Sequence, residues 1–167
     1  MSKICYFRVG ADKGTLGCRG PIFKDQTFEY IPIPEDYHVT TETRTYENTP
    51  ARFGDKMLKD YVPEQRYWDK PLHFDPEFLE DGSAVYGDGT GDRKRFLKLE
   101  EGDFLAFYAG LEEWPRTPKA PHNVYLIGFL RISKVIDSDL AKVRNQPENA
   151  HKRRFDHIFT NVKETIK

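Results

Sequence analysis

The sequence predicts a strand-rich α+β domain, with a mixed or antiparallel sheet that curls toward a barrel and a few short helices. Phe, Tyr and Trp make up 14% of the residues and lie in apolar runs, whereas disordered chains with as much charge as this one (32%) are poor in aromatics. Several of these runs have the β-branched and aromatic composition of strands. A length of 167 residues is typical of one domain. We therefore predict a single domain over residues 1–167.

Four runs carry the predicted sheet. Residues 3–9 (KICYFRV) form a first strand, and residues 102–109 form a second strand after a Gly-Asp turn. Residues 124–135 form the third strand, where Gly128 predicts a bend or a close approach by another backbone or a ligand. Residues 157–163 (HIFTNVK) form the last. Pairing from first to last predicts a closed or half-closed barrel.

The segments between these strands are less regular. Prolines restrict residues 28–34 (FEYIPIP) to an edge strand or a polyproline-like lip. Residues 38–46 have strand composition, residues 55–61 predict a short helix, and residues 138–146 (SDLAKVRNQ) predict another with a Ser/Asp cap.

Charge and cysteine content limit the class of partner and the compartment. With 26 basic and 27 acidic residues, the net charge of −1 argues against sequence-blind binding of duplex DNA, and we expect a non-specific Kd no tighter than about 10⁻⁶ M. Cys5 and Cys18 form no Cys-x-x-Cys pair, which favours a reducing compartment. The sequence shows neither a signal peptide nor an apolar run of 18 residues. We expect a cytoplasmic protein without a membrane partner.

Arg8 and Asp12 are the first candidate site residues. They lie four residues apart where the first strand enters a glycine-rich loop, so a guanidinium and a carboxylate can meet at one cleft. The alternative is a surface ion pair beside a flexible loop. His73 and Asp75 are the next candidates, because residues i and i+2 of an extended segment point to one side. They suit an acid–base pair or metal ligands, or else a capping Asp beside a hydrogen-bonded His.

Asn149 and His151 precede the basic triplet 152–154, a combination that can read a base edge or ribose and hold phosphate. The alternative is a helix end whose cations complement the helix dipole. The sequence contains no Walker pattern, nucleophile elbow, His-Glu-x-x-His or zinc-deaminase signature, and we predict no metal and no cofactor.

Taken in order, these motifs resemble the third nucleotide-modification-associated domain family. The resemblance runs through Arg8-x-Gly-x-Asp12, the Gly-Pro-Ile-Phe of residues 20–23, the Tyr-Ile-Pro-Ile-Pro-Glu of residues 30–35, and the later His-Phe-Asp-Pro and Asn-Ala-His motifs. One departure is Asp25-Gln26, where the family has Asp-Gly. The resemblance implies a link to modified DNA bases, and it is what brings Asp12, His73, Asp75, Asn149 and His151 into one site.

A second similarity, to PUA-like modules such as EVE and YTH, implies that a modified base is flipped out and stacked between aromatics. Trp114, with Tyr108 and Tyr125, would then form the cage, or else lie in the core.

Three functions stay open. The first is recognition or processing of a nucleotide or modified base in nucleic acid, with Arg8, Asp12, His73, Asp75, Trp114, Asn149 and His151 as ligand-binding residues. The second is an enzyme acting on a nucleotide or base by acid–base or metal-assisted chemistry, and the third is a plain protein-interaction module. If Asp12 and His73 contact the ligand, removing either abolishes ligand effects at little cost in stability.

Overall fold

A computed structural model describes residues 2–35, 42–53, 55–78, 84–88, 98–136 and 158–165. The described regular structure is nearly all strand, with two 3₁₀ turns at Leu58–Tyr61 and Gln65–Tyr67. The strands are β1 (Ile4–Arg8), β2 (Gly20–Ile22), β3 (Ile33–Pro34), β4 (Leu72–His73), β5 (Glu77–Phe78), β6 (Ala84–Asp88), β7 (Phe104–Glu113), β8 (His122–Ile136) and β9 (Ile158–Thr165).

Seven strands form one mixed sheet in the order β1-β7-β8-β9-β6-β5, with β2 also paired to β7 in parallel. The pairs β5–β6, β6–β9 and β9–β8 are antiparallel. The four predicted strands are therefore confirmed, and the first three share one sheet as predicted. The order of the described strands leaves β1 and β5 at two open ends, so the described residues form no closed barrel.

Residue contacts divide the chain into two compact units. Unit 1 comprises Met1–Phe7, Asp75–Phe107 and Gly128–Lys167, and unit 2 comprises Arg8–Phe74 and Tyr108–Ile127.

Unit 1 is built on aromatic packing between its strands. The Tyr86 ring lies 5.0 Å from the rings of both Phe7 and Phe107, at tilted or edge-on angles that aromatic pairs favour. The Gly-Asp turn before β7 is confirmed. Gly102 has φ 88°, which favours glycine, and the buried carboxylate of Asp103 accepts hydrogen bonds from the N–H groups of Lys3 and Glu100. These two bonds anchor the start of the chain to the turn.

Unit 2 has a core formed mainly by loop residues. Unit 2 contains a short two-stranded sheet, β3 with β4, and the two 3₁₀ turns. Tyr46 is fully buried and its hydroxyl donates a hydrogen bond of 2.7 Å to the carbonyl oxygen of Pro32, so the one polar atom of this ring is satisfied. The core residues are Ala11, Leu16, Cys18, Ile31, Tyr46, Ala51, Leu58, Tyr61, Val62 and Leu72.

The structure refines several local predictions. Residues 28–34 form an edge strand at Ile33–Pro34, one of the two alternatives predicted for this segment. The helix predicted at 55–61 is a single 3₁₀ turn at Leu58–Tyr61, where Leu58 and Tyr61 are buried. Within residues 38–46, the described part forms only an isolated bridge at Thr45. A Cβ at Gly128 would meet no described atom within 4 Å, so no described backbone approaches it closely.

The predicted helix at 138–146 lies outside the described residues. Among the residues that the structure describes, no helix has the length and apolar composition of a membrane span.

Candidate functional site

Asp12 organises the glycine loop, which we define as residues 9–20. Its Oδ1 accepts hydrogen bonds from the N–H groups of Gly14 (2.7 Å) and Thr15 (2.8 Å) and from the Thr15 hydroxyl, and its Oδ2 lies 3.1 Å from Nη2 of Arg8. Partial burial acts to raise the pKa of Asp12, but these hydrogen bonds and the Arg8 charge outweigh it and hold the pKa below its ordinary value. Arg8 and Asp12 therefore form an ion pair, which both interpretations of this motif allow, and the loop itself uses the carboxylate.

Two glycines of this loop are needed for close packing. Gly10 has φ 75°, and a Cβ there would lie 2.9 Å from Cε2 of Tyr30. A Cβ at Gly20 would lie 2.8 Å from the carbonyl oxygen of Glu29. Both positions accept only glycine without a shift of the neighbouring segment. The described contacts thus give these glycines a packing role.

His73 has a buried acidic partner. Its Nδ1 lies 3.0 Å from Oε2 of Glu35, and both side chains are almost fully buried. Glu35 directly follows β3, and His73 is the last residue of β4. Their side-chain contact therefore adds to the pairing between these two strands. Asp75 belongs to unit 1, whereas His73 belongs to unit 2. Their convergence on one ligand stays a prediction.

The remaining predicted residues divide between the core and the undescribed part of the chain. Trp114 packs edge-on against Tyr61 at 5.0 Å, next to the core of unit 2. This contact supports the core alternative for Trp114 over an aromatic cage. Asn149 and His151 lie outside the described residues.

A cleft of about 830 Å³ lies on unit 2 beside the loop that joins β7 to β8. We call residues 114–121 the proline loop, because Pro115, Pro118 and Pro121 fall within it. The cleft is wide open, and its volume is in the range of small-molecule sites. Lys13 and residues of the proline loop line it together with Glu112 at the end of β7 and with His122 and Asn123 at the start of β8.

The charge of the described lining is mainly positive. Lys13, Arg116 and Lys119 are cationic, and Glu112 is the one acidic side chain among the described lining residues. Lys13 and Lys119 are exposed and form no salt bridge with any described residue. His122 and Asn123 add exposed hydrogen-bonding groups. This set suits a ligand that combines negative charge with polar edges.

Arg116 is held from three directions. Its Nε donates to Oε1 of Glu112, and its Nη2 lies 3.3 Å from the carbonyl oxygens of Arg19 and Tyr61. Its guanidinium carbon is 5.5 Å from the centre of the Trp114 ring, a cation–π distance. The Cys18 thiol also hydrogen-bonds with this guanidinium. A guanidinium that is fixed in this way at the edge of an open cleft is preorganised for an anion.

Cys18 and Arg19 lie behind this cation. Burial raises the pKa of the Cys18 thiol to about 11, and the Glu112 carboxylate acts in the same direction while Arg116 opposes both. Cys18 is therefore protonated at neutral pH and is a bystander rather than a nucleophile. Arg19 directs Nη1 to 3.9 Å from Oε2 of Glu112, and this buried nitrogen has no hydrogen-bond partner within the described structure.

The cleft was not predicted from the sequence. Its signal is the run Pro-Arg-Thr-Pro-Lys-Ala-Pro-His-Asn at residues 115–123, where cations and hydrogen-bonding groups alternate with prolines between two strands. A second signal is Lys13, which directly follows Asp12. Among the described residues, no cluster of His, Cys, Asp or Glu has the arrangement of a metal site.

The fold and the cleft define a strand-rich α+β domain with a cationic site beside an inter-strand loop. A family model described as nucleotide modification associated domain 3 matches residues 3–165, so the chain belongs to this family. The family resemblance noted from the sequence is thereby confirmed. No curated protein and no solved structure matches the chain.

Proposed function

We propose that this protein recognises a nucleotide or modified base, and that the phosphate of the ligand binds in the proline-loop cleft. The family name links the chain to nucleotide modification. The observation that carries the proposal is Arg116, a guanidinium fixed by Glu112 and two carbonyl oxygens at the edge of an open cationic cleft. A fixed donor loses little conformational entropy when it binds an anion.

Each part of the lining has a role in this proposal. Arg116 supplies a directional contact to a phosphate oxygen, and Lys13 and Lys119 supply flexible point charges. His122 and Asn123 offer hydrogen bonds to the sugar or the base. The opening of the cleft to solvent suits a nucleotide within a nucleic-acid strand as well as a free one.

The Arg8–Asp12 pair acts indirectly here. Asp12 closes the turn that follows it, and Lys13 is the next residue in that turn. Arg8 and Asp12 thus position a cation at the cleft. Direct contact of the ligand with Arg8, Asp12, His73, Asp75, Asn149 or His151 is the competing proposal from the family resemblance, and contact with Trp114 is the one from the PUA-like similarity.

An enzyme acting on a nucleotide is the second candidate. The favouring observation is Glu112, a carboxylate that is only 4% exposed and lines the cleft. A buried carboxylate beside a bound ligand can act as an acid or base. Chromatography of nucleotides after incubation with the protein separates this candidate from simple recognition, since only an enzyme yields a product.

The proposal is tested by calorimetric titration with the four common ribonucleoside 5′-monophosphates. Replacing both Lys13 and Lys119 with Ala removes two cations that pair with no described residue, so we expect at least tenfold weaker binding with little change in stability. The matched control replaces Lys24 and Lys56, two exposed lysines of unit 2 outside the described lining.

The control double variant has the same net charge as the test variant, so it should bind like the wild type. If both double variants bind nucleotide equally weakly, the loss of affinity comes from the lower net charge and not from the cleft. No nucleotide binding by the wild type, or unchanged binding after loss of Lys13 and Lys119, would overturn the proposal.

A further inference from the structure

Glu112 has a second carboxylate oxygen that the described structure leaves without a hydrogen bond. Oε1 accepts from Nε of Arg116. Oε2 has its nearest recorded partner in Nη1 of Arg19 at 3.9 Å, which is beyond hydrogen-bond distance. Although the side chain is only 5% exposed, Oε2 is not fully enclosed, because Nη1 of Arg19 is the one fully buried side-chain nitrogen or oxygen among the described residues that lacks a hydrogen-bond partner. Because Glu112 lines the cleft, a bound molecule can reach this oxygen and donate to it.

The position of Glu112 is fixed by the fold. Glu112 is the second-to-last residue of β7. Its Cα pairs with that of Pro21 in the parallel strand β2. Arg116, four residues later, holds its other oxygen. A carboxylate fixed at both its backbone and one oxygen presents a directional acceptor, as a site that discriminates between ligands requires.

We propose that Oε2 of Glu112 accepts a hydrogen bond from the exocyclic amino group of the bound base, and that Glu112 thereby selects amino bases over keto bases. This inference rests on nucleotide binding in the proline-loop cleft. An ionised carboxylate only accepts hydrogen bonds. It pairs with the amino group of cytosine or adenine, and it repels the carbonyl oxygen that uracil or hypoxanthine has in its place.

A purely structural role for Glu112 makes a different prediction. If the carboxylate serves only to hold Arg116 and Arg19, its loss lowers the affinity for every nucleotide to the same degree. The reason is that Arg116, the cation that contacts phosphate, becomes less ordered. The ratio of affinities for an amino and a keto base would then be unchanged. Selectivity, rather than affinity, is the readout that separates the two roles.

The experiment compares cytidine with uridine monophosphate, and adenosine with inosine monophosphate, by calorimetric titration. We expect the wild type to prefer the amino member of each pair by about tenfold or more. In Glu112→Gln, the amide oxygen can still accept from Arg116 while the amide nitrogen donates to the ligand. We expect the preference to fall to about one or to reverse in favour of the keto bases.

A wild-type measurement covers the case in which Glu112→Gln does not fold. N4,N4-dimethylcytidine monophosphate lacks the amino hydrogens, so it should bind the wild type no better than uridine monophosphate. Equal affinity of the wild type for both members of each pair, or an unchanged ratio in folded Glu112→Gln, would overturn the role of Glu112.

Failure of this inference is distinct from failure of the proposed function. Replacing Lys13 and Lys119 should weaken all nucleotides while leaving the amino-to-keto ratio in place. If Glu112→Gln leaves the amino-to-keto ratio of affinities unchanged while loss of the lysines still weakens binding, only the base selection is refuted. Absence of any nucleotide binding refutes both.

Discussion

The glycine loop and the proline loop of unit 2 use their charges in opposite ways. In the glycine loop, the Asp12 carboxylate accepts three hydrogen bonds from Gly14 and Thr15 and pairs with Arg8. In the proline loop, Lys119 pairs with no described residue, and the Arg116 guanidinium lines the open cleft. The polar residues of the glycine loop motif therefore stabilise the fold, whereas the proline loop, which has no recognised motif, carries the charges that are available to a ligand.

The difference follows from backbone chemistry. A tight loop with positive-φ glycines has N–H groups that point inward, and a nearby carboxylate is their natural acceptor. Prolines lack an N–H group, so the proline loop has fewer donors for side chains to satisfy. Its long side chains are then available to solvent or to a ligand.

The largest expected effect is on the glycine loop. Gly10→Ala would place a Cβ 2.9 Å from the Tyr30 ring and 3.2 Å from the carbonyl oxygen of Ile31, at φ 75°. We expect a loss of about 2–4 kcal/mol in the free energy of unfolding, measured by urea denaturation. Gly128→Ala is the control, since its Cβ meets no described atom within 4 Å, and it should change stability by less than about 1 kcal/mol. Equal effects of the two substitutions would contradict the packing role of Gly10.

A smaller stability effect is expected at Asp12. Asp12→Asn weakens the acceptor for the Gly14 and Thr15 N–H groups and removes the Arg8 ion pair, so we expect a loss of about 1–2 kcal/mol at neutral pH. Asp25→Asn is a matched control, because Asp25 accepts from Thr27 in a turn but is fully exposed. A loss at Asp12 no greater than that at Asp25 would show that the glycine loop does not depend on its carboxylate.

The contribution of Asp12 should depend on pH. Its pKa is lower in the folded chain than its ordinary value of about 4, so the stabilisation is fully present above that value. It is lost as the pH falls through the lower folded pKa. The difference in melting temperature between the wild type and Asp12→Asn should therefore be constant near neutral pH and shrink below about pH 4. A difference that grows on acidification would contradict the hydrogen-bond account of Asp12.

The smallest effect is expected at Gln26, where this sequence departs from the family's Asp-Gly. Gln26 has φ 67°, a conformation that favours glycine, and its N–H donates to the carbonyl oxygen of Phe23. Gln26→Gly should raise the free energy of unfolding by up to about 1 kcal/mol, with no effect on nucleotide affinity. Destabilisation by this substitution would show that the Gln26 side chain contributes to the turn.

The sequence predicted strands well and side-chain neighbours poorly. The apolar runs that became β1, β7, β8 and β9 specify strands by composition alone. The core of unit 2 was not predicted, because it depends on contacts between distant loops, such as the hydrogen bond from Tyr46 to Pro32. Burial of the predicted middle helix in this core shortens it to one 3₁₀ turn.

The candidate site shows the same limit. The Arg8–Asp12 pair was predictable because it is local in sequence. The meeting of Lys13 with residues of the proline loop was not, since about a hundred positions separate them and no local pattern encodes the contact. The contact of His73 with Glu35 was likewise not predicted, because the two residues are 38 positions apart.

The most direct test of the contrast between the two loops measures stability and nucleotide binding together, by thermal melting with and without a saturating nucleoside monophosphate. We predict that Asp12→Asn lowers the melting temperature but keeps most of the ligand-induced shift. The double replacement of Lys13 and Lys119 by Ala should keep the melting temperature and lose most of the shift. The reverse pattern would contradict our account and place the ligand on the glycine loop. In that pattern, Asp12→Asn is as stable as the wild type but loses the ligand-induced shift, and the double lysine variant keeps the shift.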